Sequence, residues 1–590
     1  MKQFFKYVFA SMVGFILSVL VLFILGLVIL GVIISSAEDK SVTISSNSVM
    51  RISLDYPVVE RTAKNPLDDL DFMGFKGEKN IGLNDILTNL KKAQTDDRIK
   101  GIYLDLSSVQ SGMATIEEIR NALIDFKKSG KFIMAYSEVY TQGAYYLASV
   151  ADKIYLNPEG ILELKGFSSE LMFFKGTLDK LGIEPQIIRV GTYKSAVEPF
   201  ILDKMSDANR EQVTSFMGSM YDHFLDNISK SRRVNRDSLF SIANDMKVRT
   251  PKDALSYHLV DGLKYKDEII AELKSRTDTE KDEDVKAVKI EDYKSNETTD
   301  AEDGGGSSRI AVVYASGEIV GGEGSEDNIG SERISRAIRK ARTDDKVKAL
   351  VFRVNSPGGS ALASDVIWRE VLLTKKQKPV IVSMGDYAAS GGYYIACAAD
   401  SIFVQPNTIT GSIGVFGIIP NMKTFFNDKL GITFDGVKTG KYADLGDISR
   451  PLTDAEKMII QKEVNNTYYT FTKHVSEGRK KDQSYIKSIA EGRVWTGSQA
   501  IKNGLADRVG NISDAVKSAA KMAKLDKYKV VSYPSLKDPF ESIFGTSSDK
   551  LQSYITKIQL GDQYIYYKQI KEALQLTGVQ ARLPYNISIK

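Results

Sequence analysis

Residues 135–166, "AYSEVYTQGAYYLASVADKIYLNPEGILELKG", return 248 positions later as "SMGDYAASGGYYIACAADSIFVQPNTITGSIG" (383–414), aligned without a gap and identical at 10 of 32 positions. The shared residues include Tyr145/Tyr393, Tyr146/Tyr394, Asp152/Asp400 and Pro158/Pro406. The copies extend both ways. Upstream, "GIYLDLSS" (101–108) matches "ALVFRVNS" (349–356). Downstream, "RVGTYKSA" (189–196) matches "KTGKYADL" (438–445), and "VRTPKDALSYHLVDG" (248–262) matches "VWTGSQAIKNGLADR" (494–508). A repeat this long requires the chain to build one folding unit twice.

Within each copy, short β-branched runs alternate with helical patterns. Strands are predicted at "GIYLDL", "KFIMAYS" and "KIYLN" in the first copy, and at "IAVVYASG", "ALVFRVN", "PVIVSMG" and "SIFVQ" in the second. Helices are predicted at "TIEEIRNALIDFKKSG" and "ASDVIWREVLLTKKQ". This alternation predicts an α/β fold with a largely parallel sheet. Continuous apolar runs such as "PVIVSM" suit a sheet covered on both faces. The expected organisation is a stub and anchor over 1–37, a first repeat domain over 38–272, a charged linker over 273–308, a second repeat domain over 309–530 and an extension over 531–590. The linker carries "TDTEKDEDVK" and "DAEDGGGSS", with "VKAVKI" as a candidate edge strand. The extension, ending "VQARLPYNISIK", has no counterpart in the first copy, and its composition indicates no role.

No charged residue lies between Lys6 and Glu38. The apolar run Val8 to Ile34 exceeds the roughly 7–15 residues of a secretory h-region and reaches the about 20 that span a bilayer. It is read as an uncleaved membrane anchor rather than a removed signal peptide. Lys2 and Lys6 precede it, which predicts a cytoplasmic N-terminus and places the repeats across the membrane.

A diverged repeat lets one copy serve as a control for the other. Scaffold residues recur, and the candidate chemical residues do not. Opposite Ser390 the first copy has Gln142; opposite Ser412 it has Leu164; opposite "SPGG" (356–359) it has "SVQS" (108–111). The asymmetry reverses once: Lys194 in "GTYKSA" faces Ala443 in "GKYADL". The second copy thus holds the hydroxyls and glycines, and the first holds the lysine. If the halves pack together, one composite site forms. A serine hydroxyl needs a base to become a nucleophile. An amine desolvated among small and apolar neighbours can serve, because burial lowers its pKa. Ser412 could orient that amine. Gly359 and Gly391 could supply the backbone N–H donors that a tetrahedral oxyanion requires.

Rival readings are narrower. Lys441 is the alternative base. Cys397 reads as a small packed residue, and His474, on a helical pattern, as structural. Tyr393 and Tyr394 recur in both copies and belong to the core. The loop "GGEGSEDNIG" (321–330) lacks the lysine of a phosphate-binding P-loop and reads better as a mobile loop near the site. Three histidines and one cysteine exclude a Cys-based zinc site and an HExxH metal site, so no metal or cofactor is expected. The net charge of +4 gives no reason to expect nucleic acid.

Together, "VNSPGGS", "SMGDYAASGGYY", "TGSIGVFG", "VGTYKSAVEPF", the anchor and the ending "ARLPY" resemble the signal peptide peptidase A family in its long, duplicated bacterial form, over nearly the whole chain. The resemblance implies tandem domains of the Clp-protease/crotonase type. It implies a serine endopeptidase with Ser390 as nucleophile, Lys194 as general base, Ser412 as the lysine's partner and Gly359 as oxyanion donor. It further implies a homotetramer on the outer face of the cytoplasmic membrane. Its substrates would be signal peptides already released by signal peptidase, together with other apolar peptides, and the contact with the lipid bilayer would run through residues 8–34. An acyl-CoA hydratase or isomerase on the same fold would not need Ser390, and a noncatalytic scaffold would not need the preserved dyad.

Overall fold

In the computed structural model, the described residues are 2–37, 44–62, 79–293, 307–536, 556, 559–564 and 579–583. The first half contributes β1 (Ser48–Ile52), β2 (Val58–Val59), β3 (Ile81–Gly82), β4 (Ile99–Asp105), β5 (Phe132–Tyr140), β6 (Lys153–Leu162), β7 (Glu184–Val190), β8 (Gly262–Leu263) and β9 (Ala287–Lys289). The second half contributes β10 (Arg309–Ser316), β11 (Glu318–Val320), β12 (Asn328–Gly330), β13 (Val347–Ser356), β14 (Gly358–Ser360), β15 (Val380–Ala389), β16 (Ser401–Val404), β17 (Ile409–Gly411), β18 (Val415–Asn421), β19 (Val494–Thr496), β20 (Arg508–Val509) and β21 (Lys529–Tyr533). A last strand, β22 (Val579–Arg582), follows in the extension.

Each half is built on its own sheet, in the order β8–β6–β5–β4–β1–β9 in the first and β19–β17–β15–β13–β10–β21 in the second. The central pairs β1·β4·β5·β6 and β10·β13·β15 are parallel. Strand alternation sends Leu350, Phe352 and Val354 into one apolar cluster and Ala349 and Val351 into another. The sheet is therefore buried on both faces, which is why these strands read as unbroken apolar runs.

The repeat is repeated down to single hydrogen bonds. Tyr145 Oη donates to the Leu259 carbonyl at 2.8 Å, and Tyr393 Oη to that of Leu505 at 2.8 Å. Asp152 accepts from the Ile133 N–H at 2.8 Å, and Asp400 from that of Val380 at 2.9 Å. Both tyrosine pairs are core residues.

Two boundaries differ from expectation. The first half does not stop at residue 272: the helix Lys266–Arg276 continues through it, and Leu273 is buried. Within "VKAVKI", β9 then pairs in parallel with β1 at the sheet edge. Val288, Ile290 and Tyr293 are buried, and Tyr293 Oη donates to Asp96 at 2.8 Å. A few spaced apolar residues suffice to dock this segment despite its charge. Residues 294–306 of the expected linker lie outside the described residues. The extension also joins the fold: β21 pairs in parallel with β10, and β22 enters a third sheet. Of the ending "ARLPY", Pro584 and Tyr585 lie outside the described residues.

That third sheet, β12–β11–β14–β22–β18–β7, joins the halves. β7 runs antiparallel to β18 over seven pairs, from Glu184↔Asn421 to Val190↔Val415. Ion pairing reinforces the junction. The fully buried Arg353 meets Glu60 and Glu118, each at 2.8 Å, and Asp386 accepts from the N–H groups of Ala114 and Thr115 at 3.0 and 2.9 Å.

The N-terminal helix, Lys2–Ala37, is the one helix among the described residues long and apolar enough to cross a membrane. Its span Gln3–Gly26 has a mean hydropathy of 2.8 over its most apolar window, none of which is buried among the described residues.

Candidate active site

Ser390 sits where β15 ends and the short helix Gly391–Ala396 begins. The turn between them is sharp: Ser390 has φ 54° and ψ −113°, a conformation a side-chain-bearing residue adopts at a cost. Its N–H donates to the Gly411 carbonyl at 2.8 Å, tying the turn to the end of β17. Ser412 follows β17, also at positive φ (49°), and donates its N–H to the Arg493 carbonyl at 2.7 Å. Residues 413–414 lead directly into β18, whose first residue pairs with the last of β7. Lys194 lies four residues beyond the end of β7. The β7·β18 register thus carries the lysine of the first half to the serines of the second.

Lys194 Nζ lies 2.9 Å from Ser390 Oγ, 3.1 Å from Ser412 Oγ and 3.2 Å from the Ser412 carbonyl. All three residues are fully buried. Desolvation holds the Lys194 amine well below the ordinary lysine value, and no carboxylate is among the causes of its shift. The site is therefore suited to a neutral amine beside a serine hydroxyl. Lys194, Ser390 and Ser412 come together within one chain.

The glycine turn lies alongside. β14 pairs with β11 on one side and β22 on the other. Gly358 (φ 101°) and Gly359 (φ 154°) both adopt backbone shapes that favour glycine. A methyl group on Gly358 would lie 2.8 Å from the Gly391 nitrogen, so the two candidate N–H regions adjoin. Gly358 already donates its N–H to Ser356 Oγ at 3.1 Å.

The matching place in the first half is stitched shut. Gln142, opposite Ser390, donates to the Gly166 carbonyl at 2.9 Å and accepts from the N–H groups of Lys165 and Gly166, both at 3.1 Å. Its amide is taken up by backbone groups and faces no lysine amine among these bonds. In the second half, Ala443 and the rival Lys441 are both exposed, whereas Ser390 is fully buried and has Lys194 beside it. Burial pushes the Cys397 thiol up to about 12, and its Sγ lies against the Tyr394 carbonyl. His474 stacks on Trp368 with ring centroids 3.5 Å apart. The 321–330 loop is fastened by an Arg336–Glu323 ion pair and runs into β12.

Two positioning residues escaped the sequence reading. Gln212 is fully buried on the helix Asp207–Arg232. Its Nε2 donates to the Tyr193 carbonyl (3.1 Å) and to Ser195 Oγ (2.8 Å), and its Oε1 accepts from the Val494 N–H (3.1 Å). It thereby clamps the lysine turn to the strand following Arg493. Gly492, at φ 81°, packs on Lys194 so closely that a methyl group there would lie 2.6 Å from the lysine's Cα and nitrogen. A polar residue on a helix and a glycine in a turn carry no signal of such contacts by themselves.

The pattern of peptidase family S49 matches this chain twice, over residues 125–280 and 373–526. The chain belongs to peptidase family S49. The two matches fall on the two repeats, with Lys194 in one and Ser390 in the other. This S49 chain is 39% identical to Protease 4 of Salmonella typhi, over 76% of this chain and 74% of that protein. It is 36% identical to Protease 4 of Haemophilus influenzae, over 83% and 81%. It is 34% identical to the chloroplastic serine protease SPPA of Arabidopsis thaliana, over 85% and 74%. Among solved structures it is similar to a ClpP1 mutant from Listeria monocytogenes, over 35% of this chain and 94% of that one, at 17% identity and a TM-score of 0.24. As an S49 member with these relatives, the protein is a serine protease of tandem α/β domains.

Proposed function

We propose that this S49 protease cleaves peptides with Ser390 as nucleophile and Lys194 as general base. The observation that carries this is the 2.9 Å contact between a fully buried, carboxylate-free lysine amine and a serine hydroxyl on a strained turn. Neutral Lys194 takes the Ser390 proton as Oγ attacks the peptide carbonyl. The resulting oxyanion is met by the N–H groups of Gly359 and Gly391. The Lys194 ammonium then returns the proton to the leaving amine, and an ester to Ser390 remains. Water, deprotonated by the regenerated amine, releases the acid. Ser412 Oγ, 3.1 Å from Nζ, orients the amine beside Ser390.

The substrates in this reading are apolar peptides, chiefly signal peptides left in the membrane after signal peptidase has cut. The apolar helix supports it: residues 8–34 anchor the chain, and the repeats stand on the extracytoplasmic side of the cytoplasmic membrane. A homotetramer belongs to the same reading, as the resemblance to duplicated signal peptide peptidases implies.

The test uses the detergent-solubilised full chain with a fluorogenic peptide carrying leucine before the cleavage point. Wild type should turn it over, and Ser390→Ala and Lys194→Ala should not. Near-wild-type turnover by either variant would sink the assignment. Light scattering should return four chains per particle.

A further inference from the structure

The two copies align without a gap in sequence, yet the strands that lead to the site differ in length by one residue. Asp105 pairs with Tyr136 in the first half, and Arg353 with Ser383 in the second. Further along the same strands, Val139 pairs with Ile161 and Tyr387 with Ile409. From Tyr136 to Val139 is three steps, and from Ser383 to Tyr387 four. The extra residue falls at Gly385–Asp386, where the first half has Glu138 alone. One residue fewer upstream offsets it. Lys131 Nζ donates to the carbonyls of Ala93 and Asp96, and Lys378 Nζ, 247 positions on, to those of Ala341 and Asp344, 248 positions on. β15 therefore carries a larger bulge than β5, ending three residues before Ser390. A bulge bends its strand and re-aims the side chains beyond it.

The two bulges are held differently. In β5 the irregularity closes on itself: the Val139 N–H donates to Ser137 Oγ at 3.1 Å, and Ser137 Oγ donates to the Val139 carbonyl at 2.7 Å. In β15 the matching N–H, that of Tyr387, donates to Asn355 Oδ1 on β13 at 3.1 Å. Asn355 Nδ2 in turn donates to Glu60 Oε1 at 2.9 Å, and Glu60 belongs to the first half. The chemistry fixes which way this amide faces, since a carboxylate accepts and an N–H donates. Arg353 holds the same carboxylate through Nε and Nη2, at 2.8 and 3.2 Å. Gly385 leaves room for the arrangement: a methyl group there would lie 2.8 Å from Glu60 Oε1 and 2.9 Å from Asn355 Cγ. Asp386, the other bulge residue, accepts from Thr115 Oγ1 at 2.6 Å as well as from the N–H groups at the start of the helix Met113–Lys127. The first copy has Ser107 where the second has Asn355, and Asn355 leads straight into the turn that holds Gly358 and Gly359.

We propose that Asn355 is a positioning residue for the Ser390 reaction: it carries the hold of Glu60 onto the Tyr387 N–H, fixing the extra residue of β15 and with it the place of Ser390 beside Lys194. Asp386, held by the first half's helix, pins the other side of the same bulge. The half that lost the serine then supplies more than the base. It also sets the strand that presents the nucleophile. This rests on the reading of Ser390 as nucleophile and Lys194 as base.

An exchange of roles tests it in the full chain. Asn355→Asp keeps the shape and the acceptor for Tyr387 but sets a carboxylate against Glu60. Its kcat on the fluorogenic peptide should fall by about 100-fold, the scale of a small displacement at a reacting group, with KM within about twofold of wild type. The N355D/E60Q pair swaps carboxylate and amide, so that an amide again donates to a carboxylate and the charge of the pair is that of wild type. It should recover at least about tenfold of the lost kcat, as coupled neighbours do. Wild-type kcat in N355D, or no recovery in N355D/E60Q, overturns the proposal. So does a lowered urea midpoint with kcat per folded molecule intact, which marks Asn355 as structural only. Labelling by a fluorophosphonate keeps the dyad apart: wild type that labels no faster than Ser390→Ala removes the catalytic pair itself, not the bulge. Should the Asn355 variants not fold, Gly385→Ala decides. It presses on Glu60 and Asn355 and should lower kcat with KM held, and an unchanged kcat counts against the bulge.

Discussion

Lys194 Nζ lies 2.9 Å from Ser390 Oγ across 196 residues of sequence and across the boundary between two copies of one repeat. The contact is made by β7 crossing over to pair with β18, so the proposed catalytic pair depends on how the halves are joined as much as on either half.

The base should be removable without unfolding the chain. Lys194→Met keeps the apolar stem in its buried site and removes the amine. Turnover is expected to fall by about 100- to 10,000-fold, the usual worth of a general base, with the circular dichroism spectrum unchanged. Lys194→Arg should be as inactive, since a guanidinium stays protonated and cannot accept the serine proton.

The pH dependence follows from the burial of Lys194. The charged amine cannot act as base, so activity is lost as pH falls through the folded-state value of Lys194 and is complete above it. That value lies well below the ordinary 10.5, so kcat/KM should reach its plateau at a pH where a solvated lysine is still charged. Between the two values the unfolded chain binds one more proton than the folded chain, so this group also makes stability rise with pH. Ser412→Ala, which removes one partner of Nζ, should move the rising limb as well as lowering kcat. A change in kcat with an unmoved limb would deny Ser412 its part in setting the lysine's state.

Two glycines should be intolerant for different reasons. Gly359→Ala would put a methyl group 2.1 Å from the Ile319 carbonyl oxygen, shifting the candidate oxyanion donor and costing about 100- to 1000-fold in kcat. Gly492→Ala presses on the Lys194 backbone, so its loss should appear as a displaced pH limb together with reduced kcat. Steady-state pH profiles of both variants separate the two effects.

The interface of the halves has a buried charge at its centre. Arg353→Met leaves Glu60 and Glu118 without their cation and should cost about 3–5 kcal/mol, read by urea unfolding. In the wild type, burial pushes Glu118 up to about 7 from its ordinary 4.5. Because the folded value is the higher one, this group's contribution is full below about 4.5 and is lost as pH rises through about 7.

Much of this was legible in the residues. The unbroken apolar strands, the alternating helices and the doubled pattern announced two α/β units. The substitution of Gln142 for Ser390 and of Ala443 for Lys194 announced one site shared between them. What escaped were residues whose role depends on the partner across the interface. Gln212 is an ordinary helix residue until its amide is seen to bridge the lysine turn and Val494. The segment after residue 272 reads as linker because charges outnumber its few apolar residues, yet Val288 and Tyr293 dock it. The tail had no repeat partner to compare with, and its place in the third sheet comes from strand register, which composition does not encode.

The sequence by itself determined the unit, its duplication and the residue types of the site, because side-chain periodicity and the loss of chemistry in one copy are local properties. The tertiary structure alone decided that Lys194 reaches Ser390, and that Val579–Arg582 fills the gap between β14 and β18. Both depend on pairing between strands far apart in the chain. Backbone hydrogen bonding makes such pairing possible for almost any sequence, and only the packing of both halves selects it.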